Sequence, residues 1–137
     1  MSEYKVQNYA FGGSIDAELG GYADRILFPY EPKIVFFQTG SNDYVQLSGT
    51  DEEKIEKCME YKKQMFAAFH EQMQDAKFVI MSGLLLPGRA EYLNLTLTIN
   101  ERLQKLAGET DYLYYVDANA LTYNGTNFNA TLFIEDG

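Results

Sequence analysis

Two short apolar runs rich in β-forming residues, Lys33-Ile34-Val35-Phe36-Phe37-Gln38 and Phe78-Val79-Ile80-Met81, constrain this chain more than any other feature of it. A continuous apolar strand is the signature of burial on both faces of a parallel sheet, and parallel neighbours need a crossover of a dozen or more residues. The residues between the two runs supply that crossover. Thr50 with Glu53 three positions later forms a capping box, and Ile55, Cys58, Met59, Met65, Phe66, Phe69 and Met73 make an inward helical stripe. After the second run, Leu84-Leu85-Leu86-Pro87-Gly88 turns the chain into a helix carrying Tyr92, Leu95, Ile99, Leu103 and Leu106 and stopping at Gly108. Tyr112-Leu113-Tyr114-Tyr115-Val116 reads as a last strand, followed by a polar loop over 117–129. At the other end, Tyr4-Lys5-Val6-Gln7-Asn8 alternates as a short strand should, and Gly12-Gly13 breaks it. Ser14 then offers an N-cap to a helix with Ile15, Leu19, Tyr22, Ala23, Ile26 and Leu27 on one face, stopped by Pro29 and Pro32. The order β-α-β-α-β-α-β predicts an α/β fold, a parallel sheet covered on both sides, in a single domain over residues 1–137.

Charge and composition narrow the function. Eleven Lys and Arg against twenty Asp and Glu leave a net charge of −9, which repels phosphate backbones and makes nucleic acid an unexpected partner. The lone Cys58 excludes an internal disulfide, and one Cys with one His cannot build a structural zinc site, so no metal is expected. No apolar run reaches the roughly 20 residues that span a bilayer. The N-terminus has neither a basic n-region nor an apolar h-region. The chain reads as soluble, its compartment open between cytoplasmic and secreted.

In open parallel sheets the ligand site lies beyond the carboxyl ends of the strands. That rule selects the loops at 10–14, 39–43 and 82–89, with Asp117 after the last strand. The Gly12-Gly13 pair lets backbone approach a ligand and present amides at a helix N-terminus, or else makes only a tight turn. Asn42, in Gly40-Ser41-Asn42-Asp43, can donate from its amide to a developing oxyanion, or form an Asx turn. His70, the one imidazole, falls mid-helix beside the buried stripe and away from the strand ends, which suits a boundary residue better than a base. Cys58 lies on the apolar face as a small hydrophobe, and Ser14 serves better as a cap than as a nucleophile, having no G-x-S-x-G elbow around it.

These segments resemble a known family. Asn8-Tyr9-Ala10-Phe11-Gly12-Gly13-Ser14, and then Pro32 through Asp43 with its Gly-x-Asn-Asp ending, look like the second and third blocks of the SGNH (GDSL) esterase and acylhydrolase family. Residues 75–82 and Pro87-Gly88-Arg89 through Asn100 look like its fourth strand and following helix, so that nearly the whole chain is covered. The resemblance implies a flavodoxin-like three-layer α/β/α sandwich and a serine hydrolase acting on acyl esters, acetylated carbohydrate among them, without a cofactor. It implies that the Gly13 amide and the Asn42 side chain are oxyanion-hole donors. It also implies that Asp136 is the acid that orients the catalytic histidine of an Asp-x-x-His block.

Two parts of the family pattern are not among these residues. The Gly-Asp-Ser block with the nucleophile would precede Tyr4, and the histidine would follow Asp136 by three positions, beyond Gly137. Losing nucleophile or base removes most of a triad's catalysis, so the chain alone is expected to be incompetent in ester hydrolysis. The alternatives are a non-catalytic binding or assembly module and one half of a split esterase. A first strand missing from a flavodoxin-like sheet would also open a slot of unpaired backbone. Either a homodimer or a rearranged sheet, with residues 4–8 sliding over to pair, is expected to fill it.

Overall fold

The computed structural model of the chain describes residues 5–133. Its ordered elements are α1 (Asp16–Ile26), β1 (Ile34–Phe37), a short α2 (Asp43–Gln46), α3 (Asp51–Gln72), β2 (Lys77–Met81), α4 (Leu93–Gly108) and β3 (Leu113–Val116), with 3-10 turns at Phe28–Tyr30, Pro87–Tyr92 and Ala130–Leu132. The three strands form one parallel sheet in the order β1-β2-β3. Val35, Phe36 and Phe37 pair with Phe78, Val79 and Ile80, and Phe78 and Ile80 pair in turn with Leu113 and Tyr115. The α/β class and the parallel sheet are those expected from the alternation of apolar runs and amphipathic segments.

Parallel register puts paired residues on one face of the sheet, and the two faces differ sharply. Val35, Phe37, Phe78, Ile80, Leu113 and Tyr115 share a face and pack into the core with Phe66 and Phe69 of α3, Leu95, Ile99 and Leu103 of α4 and Ala23 of α1. Phe37 lies edge-on to Phe66 and Phe78 at 5.4 and 5.6 Å between ring centroids. On the opposite face Ile34 is 56%, Phe36 68%, Tyr114 50% and Val116 45% exposed. Burial of β1 on both faces, expected from its unbroken apolar run, is therefore not found. Among the described residues, the core-facing helices cover one side of the sheet only. An apolar run records that a strand suits a sheet interior, not that both its faces are covered.

The N-terminal segment departs from expectation as well. Tyr4 lies outside the described residues, and residues 5–8 are irregular and exposed, without a ladder to any strand. The sheet has not rearranged to take them in. Period-two alternation marks a strand only where a neighbour pairs with it, and Val6, 84% exposed, has none. Ser14 does not cap α1 either; its hydroxyl donates back to the Phe11 carbonyl at 2.9 Å. Helix entry is secured by Glu18, which accepts from the Ile15 amide, and by the carboxylate of Asp43, which accepts from the Asp16 amide at 3.2 and 3.3 Å. The capping box of α3 forms as expected, Thr50 accepting from the Glu53 amide and Glu53 from that of Thr50.

Candidate active site

The loops at the carboxyl ends of the strands meet through one residue, Asn42. Its side-chain nitrogen donates to the Ser14 carbonyl at 3.2 Å, and its side-chain oxygen accepts from Nη2 of Arg89 at 3.2 Å. Nη1 of the same guanidinium donates to the Ser41 carbonyl at 2.6 Å. The three segments singled out by strand-end topology, 10–14, 39–43 and 82–89, are thus joined within one hydrogen-bonded unit. An Asx turn, the alternative for Asn42, would have spent its side chain on local backbone; instead it bonds residues 28 and 47 positions away.

Gly13 sits beside that junction. Ser14 N–H donates to the Phe11 carbonyl, closing a tight turn whose third residue, Gly13, has φ of +76°, a region where a side chain would be strained. Gly13 is exposed, and its amide donates to no acceptor among the described residues. Asn42 also keeps one N–H without an acceptor there, because an amide nitrogen carries two and only one reaches Ser14. Two loops therefore bring uncommitted N–H donors to the same end of the sheet. Asp136, the remaining site residue expected from sequence, lies outside the described residues.

Beneath these loops is a buried charged cluster that the sequence reading missed. Lys62 Nζ is 2.7 Å from Asp16 Oδ2 and donates also to the Thr39 carbonyl at 3.3 Å. Asp43, next to Asn42, is buried against the same group, and burial first, then the charge of Asp16, pushes its carboxyl up to about 6, with Lys62 opposing. The cluster fastens the strand-end loop 39–43 to α1 and α3 together. One signal could have revealed it: Lys62 falls between Met59 and Met65 on the inward stripe, where a cation needs a buried partner.

A second polar knot closes the other strand ends. Ser82, fully buried after β2, donates to Asp117 and accepts from the Ala118 amide and from Asn119, whose side chain also spans to Gly83 and Leu85. Ser82 has no freedom to act as a nucleophile, since its oxygen is already enclosed by these partners. His70 stacks flat on Tyr112 at 3.7 Å, near the amino ends of β2 and β3 and remote from Asn42, which agrees with a boundary role. Cys58 is buried, and burial pushes its thiol up to about 11, so it is an inert hydrophobe at neutral pH. Among the described residues no cluster of three or more His, Cys, Asp or Glu is arranged to hold a metal ion, and no helix is long and apolar enough to cross a membrane.

Comparison with known proteins bears on the fold. No protein-family model matches the chain, and no curated protein matches it in sequence. A solved structure from Streptococcus pneumonia, described as a candidate platelet activating factor, superposes with a TM-score of 0.66 at 15% sequence identity. The match covers 82% of this chain and 54% of that one, so the chain spans about half the length of that structure. At that identity the likeness establishes the α/β architecture and leaves the chemistry to the residues themselves.

Proposed function

We propose that these residues carry the oxyanion-stabilising part of an acyl-ester hydrolase of the SGNH type, with the Gly13 amide and the Asn42 side-chain amide as donors. The observation that carries the reading is the Asn42 junction, which joins the Gly12-Gly13 loop to the end of β1 and leaves an N–H on each side without an acceptor among the described residues. In such a hydrolase a serine hydroxyl adds to the ester carbonyl while a histidine takes its proton. The carbonyl oxygen becomes an anion, which two or three N–H donors stabilise, and collapse expels the alcohol with the proton returned from histidine. Water then repeats the sequence on the acyl-enzyme. Asp136 is assigned the orienting role toward that histidine. The serine and histidine of the family blocks are not among these 137 residues, so the proposal concerns the share of the mechanism that these residues hold. Short acyl esters, including acetylated sugars, are the proposed substrates.

The test is hydrolysis of p-nitrophenyl acetate, with fluorophosphonate labelling read by intact mass. It is made on the 137-residue chain and on the polypeptide that contains these residues in its native source. Expected are neither label nor turnover in the chain alone and, in a native polypeptide that supplies the family's serine and histidine, stoichiometric labelling and turnover with a fall of about 100-fold or more in kcat for Asn42→Ala. A native polypeptide without label or turnover overturns the reading in favour of a binding module. A label on Ser14 overturns the assignment of the nucleophile.

A further inference from the structure

We infer that Arg89 is a positioning residue for Asn42, fixing which way its amide faces and strengthening the N–H it presents; the inference rests on the oxyanion reading of Asn42 for its catalytic meaning, though not for its geometry. The side-chain amide of asparagine can sit in two senses that differ by a half-turn, one with oxygen and one with nitrogen toward a given neighbour. Here the neighbours are of opposite kind. Arg89 can only donate, and the Ser14 carbonyl can only accept, at 3.2 Å each from the side-chain oxygen and nitrogen of Asn42. A half-turn would set the NH2 group against a guanidinium and the oxygen against a carbonyl, losing both bonds and adding two repulsions. The sense that aims nitrogen toward the Gly13-Ser14 loop is therefore imposed from the far side.

Arginine suits this task as lysine does not. Its planar fork reaches the Ser41 carbonyl with Nη1, at 2.6 Å, and the Asn42 side chain with Nη2, so that backbone and side chain of consecutive residues are held by one rigid group. The 3-10 turn Pro87–Tyr92 breaks from helical geometry at Arg89 itself, with φ −126° and ψ 31°, while the Arg89 amide is held by the Leu86 carbonyl at 3.0 Å. The positively charged guanidinium, donating to the amide oxygen, also draws electron density from the nitrogen, so the remaining N–H becomes a stronger donor. The sequence carries this residue in the segment Pro87-Gly88-Arg89, where nothing in periodicity or spacing points to it.

The inference is tested with Arg89→Met and Arg89→Lys in two ways. In the 137-residue chain the side-chain NH2 resonances of Asn42, assigned by their loss in Asn42→Asp, are followed by proton–nitrogen correlation NMR. Expected is a shift of both resonances and hydrogen exchange at least about tenfold faster in Arg89→Met, with only partial recovery in Arg89→Lys, which lacks the fork. Backbone resonances of Phe78 and Leu113, in the core, should stay in place and report an intact fold. Resonances of Asn42 unchanged in Arg89→Met overturn the inference. In the native polypeptide, Arg89→Met should lower kcat about tenfold with KM little changed. If Asn42→Ala leaves kcat unaltered while Arg89→Met still moves the Asn42 resonances, the oxyanion reading fails and the positioning stands. If Asn42→Ala lowers kcat and Arg89→Met alters neither signal, the positioning fails alone.

Discussion

Lys62 Nζ stands 2.7 Å from Asp16 Oδ2, with both side chains almost wholly withdrawn from solvent, so a single ion pair fastens α3 to α1 directly beneath the strand-end loops. The second oxygen of Asp16 has no hydrogen-bond partner among the described residues and is itself buried. An ion pair in such surroundings contributes little when whole, because desolvation offsets the attraction, yet it is strongly destabilising to break. Lys62→Met leaves the carboxylate of Asp16 buried alone and should lower stability by about 3 to 5 kcal/mol, measured by urea unfolding. The double variant Lys62→Met with Asp16→Asn, which removes both charges, should recover most of that loss. A single-variant loss below about 1 kcal/mol would show that water reaches the pair.

Gly40 gives an independent reading of the same cluster. Its φ is +90°, and a methyl group there would overlap Lys62 Nζ and come within 2.9 Å of Lys62 Cε and 3.3 Å of Asp16 Oδ2. Left-handed backbone alone costs a non-glycine residue about 1 to 2 kcal/mol, and the overlap adds to it, because a lysine held by two partners cannot move aside freely. Gly40→Ala should therefore destabilise by about 2 kcal/mol or more. Gly12→Ala, with nothing within 4 Å of the new carbon, should stay within about 0.5 kcal/mol of the parent in the same thermal or urea measurement.

Residues such as these explain which parts were legible in the sequence. The stripe of α3, its capping box and the parallel strands could be read because each depends on neighbours a few positions away. Gly13 and Asn42 could be singled out because strand-end topology and residue chemistry converge on them. Lys62 could not be matched to Asp16, 46 positions distant, by any local period. Arg89 likewise acts across 47 positions. The strand expected at residues 4–8 failed for the converse reason: its alternation was local, and a strand's existence depends on a partner that the pattern does not contain.

Asp43 should make stability depend on pH in a defined direction. Its folded-state carboxyl lies near 6 against an ordinary 3.8, chiefly through burial and then the charge of Asp16, so the native state holds the proton more tightly than the unfolded chain. The stabilising contribution of that proton is complete below about pH 4 and is lost as pH rises through about 6. Asp43→Asn keeps an acceptor oxygen for the Asp16 amide while removing the titration. Its stability relative to the parent should therefore rise between pH 4 and pH 7, most steeply around the folded-state value near 6. Urea unfolding of both proteins across that range is the measurement, and a constant difference would place the Asp43 carboxyl at its ordinary value.

Phe36 and Phe37 are adjacent in sequence and opposite in environment, which makes them a test of the one-sided sheet. Phe37, 4% exposed, meets Phe66, Phe69 and Phe78, so Phe37→Ala removes a ring from a packed aromatic cluster and should lower stability by about 3 to 5 kcal/mol. Phe36, 68% exposed on the outer face, should tolerate alanine within about 0.5 kcal/mol. A second copy packed on this outer face, a different place from the strand slot expected to be filled, would also leave its mark here. If a second copy covered it in solution, Phe36→Ala would lower stability by an amount that depends on protein concentration, because only the associated form buries the ring. Thermal unfolding of parent and variant at two concentrations a hundredfold apart separates the cases. A concentration-independent midpoint with a small Phe36→Ala effect means that the face stands open to solvent, and a midpoint that rises with concentration in the parent but not in Phe36→Ala means that another copy covers it.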